Sequence, residues 1–191
     1  MVRNPERRTA LVDAAIEVLA REGARGLTFR AVDAEAGCPV GTASNYFTGR
    51  DDLLTQAGGH IYVRMTPDPT RVAEAMRPAP SRELVTELMR WLVQRQTDER
   101  TSYLAMLELR LEATRRPALR AELTAAVRAT LDANIRFHLD AGLPGEADDV
   151  LVLYLAMTGL LLEVLTLPGI LPEDELGALV EKVVTRSLPP A

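Results

Sequence analysis

Residues 28–47 hold the side chains whose types and spacing best suit chemistry on a partner, and that chemistry is hydrogen bonding. In Val40-Gly-Thr-Ala-Ser-Asn-Tyr46 the polar groups of Thr42, Ser44, Asn45 and Tyr46 crowd into one short stretch. They can donate to phosphate oxygens or base edges, and Val40 offers apolar contact to a thymine methyl. Gly41 and Ala43 are small, which lets a helix backbone approach a groove closely. The same spacing occurs in paired helices that bind no nucleic acid, so on spacing alone both readings stand.

Signals for bond-breaking chemistry are poor. The two histidines, His60 and His138, lie far apart, and no zinc-protease, nucleophile-elbow, phosphate-loop or paired-cysteine spacing is present. The expectation is a chain that is not an enzyme, with no cofactor and no metal. His138 is expected at a helix surface or pocket edge. Cys38 is the one cysteine, so a disulfide scaffold is excluded.

Helical periodicity runs through the whole chain and no alternating strand pattern competes with it, which predicts an all-α fold. A first helix covers about Arg8 to Arg21 and ends near Gly23. Thr28 then caps a short helix from Phe29 to Ala36, Gly37 stops it, and Cys38-Pro39 starts another from Val40 to about Tyr46. Two short helices joined by a turn containing Gly form a helix-turn-helix at about 28–47. After Gly49 a longer helix runs from Arg50 to about Met65, with two acids near its positive end.

Pro67-Asp-Pro69 and Pro78-Ala-Pro80 bracket a short polar helix and mark a boundary. The organisation expected is a DNA-binding domain over 1–50, a connecting helix over 51–66 and a second helical domain over 67–191. In the second domain Ser81 caps a helix to about Thr97, Glu99 to Arg116 forms the next, and Pro117 starts one that reaches Ala141. Val150 to Leu162 is almost wholly apolar. Its uncharged length is short of the roughly 20 residues a membrane span needs, so the expectation is a helix buried on most sides and no membrane partner. Pro172 to about Ser187 is a last amphipathic helix.

Composition sets the outer bounds. The chain has 191 residues, is 47% hydrophobic and 26% charged, and carries a formal charge of −5. Those proportions exclude a disordered acidic tail. Residues 1–50 hold seven Arg against six acids, a balance of +1, so the N-terminal part is the less acidic one without being a basic arm. Neither an apolar leader segment at the start nor a lipidation signal at the end is visible, and the expected location is cytoplasmic.

Several motifs in residues 8–55 resemble the TetR family of transcriptional regulators. They are Gly26-Leu-Thr-Phe-Arg30, Ala36-Gly-Cys-Pro-Val-Gly-Thr42, the aromatic pair Tyr46-Phe47, and Arg50-Asp-Asp-Leu-Leu54. The resemblance implies that Thr28 and Arg30 touch phosphate or guanine from the helix before the turn. It also implies that Val40, Gly41 and Ser44 face bases while Thr42, Asn45, Tyr46 and Arg50 face phosphates, with Phe47 packing inside. Three positions depart from the family pattern. Ser44 stands where Tyr is common, Ala43 where Leu is usual, and Asp33 where a small Ala packs between the two helices. Asp33 is expected either to face solvent or to pair with an Arg such as Arg30. Cys38 takes the place of a buried Val.

The resemblance further implies a ligand cavity and a dimer interface in the C-terminal two thirds. Met89, Trp91, Met106, Phe137, Tyr154 and Met157 supply the soft and aromatic surface that drug-sized cavities show. Glu108 and Arg110 fall on apolar stripes of the helix Glu99 to Arg116, and a carboxylate on an inward stripe needs either an ionic partner or a ligand. Aromatic residues make up only 4% of the chain, which favours an aliphatic or small polar effector. Beyond what one core-facing stripe requires, the helix over 149–166 has an apolar excess at Leu155, Gly159, Leu162 and Val164. Together with the helix over 119–139, a second copy would cover it as a four-helix bundle.

The reading these features support is a homodimeric repressor of transcription that binds a palindromic double-stranded DNA operator and leaves it when a small molecule fills the C-terminal cavity. An all-α small-molecule-binding or scaffold protein without DNA binding is the alternative, kept open by Asp33, by Ser44 and by the near-neutral N-terminal unit.

Overall fold

Asn4 caps the first helix: its side-chain oxygen accepts from the backbone N–H of Glu6 at 2.9 Å and of Arg7 at 3.4 Å, and Pro5 follows at the first helical position. The computed structural model describes residues 4–189, and residues 1–3 and 190–191, which the expected domain bounds include, lie outside the described residues. Within them the chain forms ten helices and no strand.

Helix α1 spans Pro5–Gly26 and buries Leu11, Ala15, Val18 and Leu19 at helical spacing. Its regular part stops at Gly23, whose φ of +69° is a left-handed conformation suited to Gly. Helix α2 is Phe29–Glu35, capped by the Thr28 hydroxyl accepting from Ala31 N–H at 3.1 Å. Helix α3 is Thr42–Tyr46, and α4 is Arg50–Met65. The sequence places the start of α3 at Val40. The structure starts it two residues later because Gly41 takes φ +94° and leaves Val40 on the turn.

Helices α5 (Pro69–Ala75), α6 (Arg82–Asp98), α7 (Arg100–Ala113), α8 (Pro117–Asp140), α9 (Ala147–Thr166) and α10 (Glu173–Ser187) complete the chain. Glu99, at φ −104° and ψ 37°, separates α6 from α7.

The chain divides into two compact units. The first comprises residues 4–66 and 99–126. There α1 packs against α7, α2 and α4 around one apolar cluster that includes Leu11, Leu19, Leu54, Ile61, Leu109 and Leu123. The second comprises 67–98 and 127–189, with α10 packed on α6 and α9. Helix α8 contributes residues 117–126 to the first unit and 127–140 to the second.

Helix α9 departs from expectation. It is 20 residues long and, by length and hydropathy, apolar enough to cross a membrane, yet only a third of that stretch is buried. Val150, Leu153, Met157, Leu160, Leu161 and Leu165 face inward, while Val152, Leu155, Gly159 and Leu162 form an exposed stripe. The helix carries two apolar faces, and the chain itself covers one.

Candidate nucleic-acid interface

The turn between α2 and α3 is built by backbone bonds and one buried side chain. Cys38 N–H donates to the Asp33 carbonyl at 2.8 Å, and Thr42 N–H donates to the Pro39 carbonyl at 3.1 Å. Gly37 at φ +61° turns the chain out of α2. Phe47 is buried and lies 6.5 Å from the Phe29 ring, with the Arg8 guanidinium 5.6 Å from its centroid. Arg8 also donates to the Tyr46 carbonyl at 2.9 Å and to Gln56, fastening the end of α3 to α1 and α4.

On the outside of this frame stand the candidate reading residues. Val40 is 79% exposed on the turn. Arg30, Ser44, Asn45 and Thr28 are exposed, while Thr42, Tyr46 and Gly41 are half-buried. Several polar groups already bond locally. The Thr42 and Ser44 hydroxyls donate to the carbonyls of Pro39 and Gly41 at 2.6 and 2.8 Å, and Asn45 Nδ2 donates to Gly41 at 2.9 Å. In this geometry the two hydroxyls offer lone pairs outward, whereas the second amide hydrogen of Asn45 and the Arg30 guanidinium remain as donors toward phosphate or base acceptors.

Arg50 is placed differently from the phosphate position that the resemblance implies. Its guanidinium turns inward, donates to the Ala24 carbonyl, and lies 3.7 Å from a carboxylate oxygen of Glu112. Glu112 is buried and also accepts from Arg116 Nε at 2.6 Å and Arg115 Nη2 at 3.1 Å. Hydrogen bonds from Arg116 and Arg115 hold its carboxyl below the ordinary Glu value. Arg116 in turn pairs with Asp51 on α4. At the start of α4, Asp52 accepts from the Thr48 backbone N–H at 2.8 Å, and this bond leads the causes that lower its pKa.

Asp33 is the residue that sequence reasoning misplaced. It neither faces solvent nor pairs with Arg30. It is 1% exposed, with Oδ2 accepting from Gly41 N–H at 2.7 Å and Oδ1 from Ala43 N–H at 2.6 Å. Gly41, the residue before α3, has no side chain with which to cap it. A short helix opening on Gly, preceded by an acid where a small residue would pack, was the available signal for an external cap.

Among the expected ligand residues, Met106, Glu108 and Arg110 belong to the first unit, and Met89, Trp91, Phe137, Tyr154 and Met157 to the second. Met106 and Met157 are buried, Met89, Trp91 and Tyr154 half-buried, and Arg110 and Phe137 exposed. The Arg95 guanidinium lies 5.7 Å from the Trp91 ring centroid. Glu108 ends on backbone, accepting from Ala24 N–H at 3.2 Å. His138 is buried rather than at the surface, and its Nε2–H donates to the Pro144 carbonyl at 2.8 Å. Of the expected dimer residues, Leu155, Gly159 and Leu162 are exposed and Val164 half-buried.

Comparison with known proteins follows both halves of the chain. A family model described as bacterial regulatory proteins, tetR family, matches residues 11–57, and one described as tetracyclin repressor-like, C-terminal domain, matches residues 80–190. The multidrug binding protein EbrR, in a crystal structure complexed with imidazole, is 30% identical, with 98% of each chain covered and a TM-score of 0.70. EbrR complexed with ethidium is 32% identical over 97% of this chain and 100% of that one, at 0.66. A TetR-family member from Streptomyces coelicolor is 30% identical over 97% and 99%, at 0.70. No curated protein sequence matches the chain.

Proposed function

The chain belongs to the TetR family of bacterial transcriptional regulators, and from that premise we propose that it is a cytoplasmic homodimeric repressor released from a palindromic operator by a small-molecule effector. The observation that carries the reading is the exposed face formed by Arg30, Val40, Ser44 and Asn45 around a turn anchored by buried groups. That face suits a major groove, where Arg30 can pair with guanine and Val40 can meet a thymine methyl.

Homodimerisation is supported by the second apolar face of α9. Val152 and Leu155 are 53% and 59% exposed, and Phe137 and Leu139 on α8 are 46% and 43% exposed. Large apolar residues left exposed on both helices call for cover. A second copy presenting α8 and α9 would supply it as a four-helix bundle, with Gly159 allowing close approach. Two reading heads would then meet major grooves about 34 to 36 Å apart, or several base pairs more on a wider site.

EbrR has been crystallised with ethidium, proflavin and malachite green, which supports an organic effector for this chain. Release requires that the effector bind the DNA-incompetent arrangement more tightly. A swing from mostly bound to mostly unbound takes about 5 kcal/mol of differential affinity. Helix α4, which leads from the reading head to Pro67 where the second unit begins, is the proposed lever.

Selection of duplexes from a random library by the purified protein, followed by titration of the enriched duplex at several salt concentrations, tests the reading. A palindrome with a steep salt slope is expected, because neutralised phosphates release counterions. A folded dimer that enriches nothing at low salt would overturn it in favour of the scaffold alternative.

A further inference from the structure

We propose that Asp33 is a positioning residue for DNA reading: its buried carboxylate fixes α3 against α2 and so sets the pose in which Val40, Ser44 and Asn45 meet base pairs. The proposal rests on the reading of this face as the DNA contact surface. Helix α3 has only five residues, too few to be stable by itself, since a first helical turn is costly to nucleate. Its orientation must come from tertiary bonds. Two backbone donors at its start, Gly41 N–H just before the helix and Ala43 N–H within it, both end on Asp33, at 2.7 and 2.6 Å. One side chain therefore holds the helix start at two points, which fixes direction as well as distance.

The residue type is dictated by that geometry. Both partners are donors, and an ionised carboxylate is an acceptor on both oxygens. Asn in the same place would offer one acceptor and would set its NH2 group against the other N–H. Ala would leave both donors without this acceptor, and of the two the Ala43 amide is buried. Among the described residues no Lys, Arg or His forms an ion pair with Asp33, so the backbone donors and the positive end of α3 are what accommodate the charge. The same carboxylate also occupies the two amides, so neither is available to a DNA phosphate.

Two effects of removing the charge have opposite signs, which makes the test decisive. A negative charge beneath a DNA-binding surface repels phosphates, so electrostatics alone predicts that Asp33→Asn binds every duplex somewhat more tightly. Loss of the clamp predicts weaker specific binding with non-specific binding unchanged or slightly raised. The experiment titrates wild type and Asp33→Asn against two probes: the duplex enriched by wild type from a random library, and a scrambled duplex of equal length. The expected result is a loss of about ten-fold or more for the enriched duplex, corresponding to about 1.4 kcal/mol, and a smaller ratio of the two affinities while the helical signal of the whole protein stays at the wild-type level. Equal or tighter binding of the enriched duplex would overturn the proposal, as would a parallel fall on both probes. Amide exchange in the wild-type protein judges the clamp without any variant. Gly41 and Ala43 amides should exchange much more slowly than those of an unstructured peptide, and unprotected amides would overturn the clamp even where the duplex selection succeeds. If wild type enriches no duplex, the functional reading fails, and protected amides would leave Asp33 as the structural cap of α3 only, which also overturns its role in reading.

Discussion

Glu108 Oε2 accepts a hydrogen bond from the Ala24 backbone N–H at 3.2 Å, tying the middle of α7 to the turn that ends α1. A Cβ on Gly23 would stand 3.0 Å from the same oxygen, and Gly23 has φ +69°. The Gly and the acid thus make one joint in the first unit. Glu108→Ala should lower the stability of this unit by about 1 to 3 kcal/mol, because Ala24 is buried and its donor would be left unmet. Glu108→Gln keeps an acceptor oxygen and should cost less. Urea melts of both variants check this; an unaltered midpoint for the Ala variant would mean that the joint contributes nothing.

Arg30 is the exposed cation of α2, with no ion pair among the described residues. Arg30→Ala should cost about 1 to 3 kcal/mol of specific binding if it reads a base, and should relax preference at one position of each half-site. A uniform loss on all duplexes, with a shallower salt slope, would reassign it to phosphate.

Much of the fold was legible because its punctuation is local. Gly49, Ser81, Pro117 and Pro172 each stand at or beside a helix start, and the bounds of α4, α6 and α8 follow from them within a residue or two. The surplus apolar stripe of α9 was legible in part, since Leu155, Gly159 and Leu162 of the expected excess are exposed while Val164 is half-buried. What the sequence hides is the far partner of each polar group. Asp33 bonds residues 41 and 43, Arg50 reaches Glu112, and Glu108 reaches Ala24. None of these pairs has a helical or strand spacing. Each exists because packing of α1 or α4 on α7, or of α2 on α3, brings the two together, and periodicity carries no information about that. The late start of α3 has a local cause: Val40 fits a helical pattern, but the left-handed backbone of Gly41 keeps it out of the helix.

The acid limb of stability should report on Glu112. Its folded-state carboxyl lies below the ordinary Glu value because Arg116 and Arg115 bond the charged form. A depressed folded pKa contributes stability that is complete above the unfolded value, about 4.3. It is lost as pH falls through the lowered folded value. Stability of the first unit should therefore drop below about pH 4.3, and Glu112→Gln should be weaker at pH 7 yet less sensitive to acid in that window. Chemical melts of both proteins between neutral pH and the acid limb check the sign. Parallel pH curves would mean that the Arg115, Arg116 and Arg50 contacts give the carboxylate no net preference.

Gly159 lets the fold of one chain be tested apart from the proposed contact between two. It is exposed, and a Cβ built there meets nothing within 4 Å, so a larger side chain costs one copy little space. In the proposed four-helix bundle with a second copy, the same position would sit where α9 helices approach, and added volume would force them apart. Helix propensity also favours the replacement, since Gly in a helix interior costs about 1 kcal/mol relative to good helix formers. Gly159→Leu should therefore keep or raise the helical signal of each chain while weakening self-association. Sedimentation over a concentration series reads this as a dimer dissociating at concentrations where wild type stays paired. An unchanged dimer would move the contact off the stripe Val152, Leu155, Gly159 and Leu162, and the exposed Phe137 and Leu139 of α8 would be the next surface to substitute.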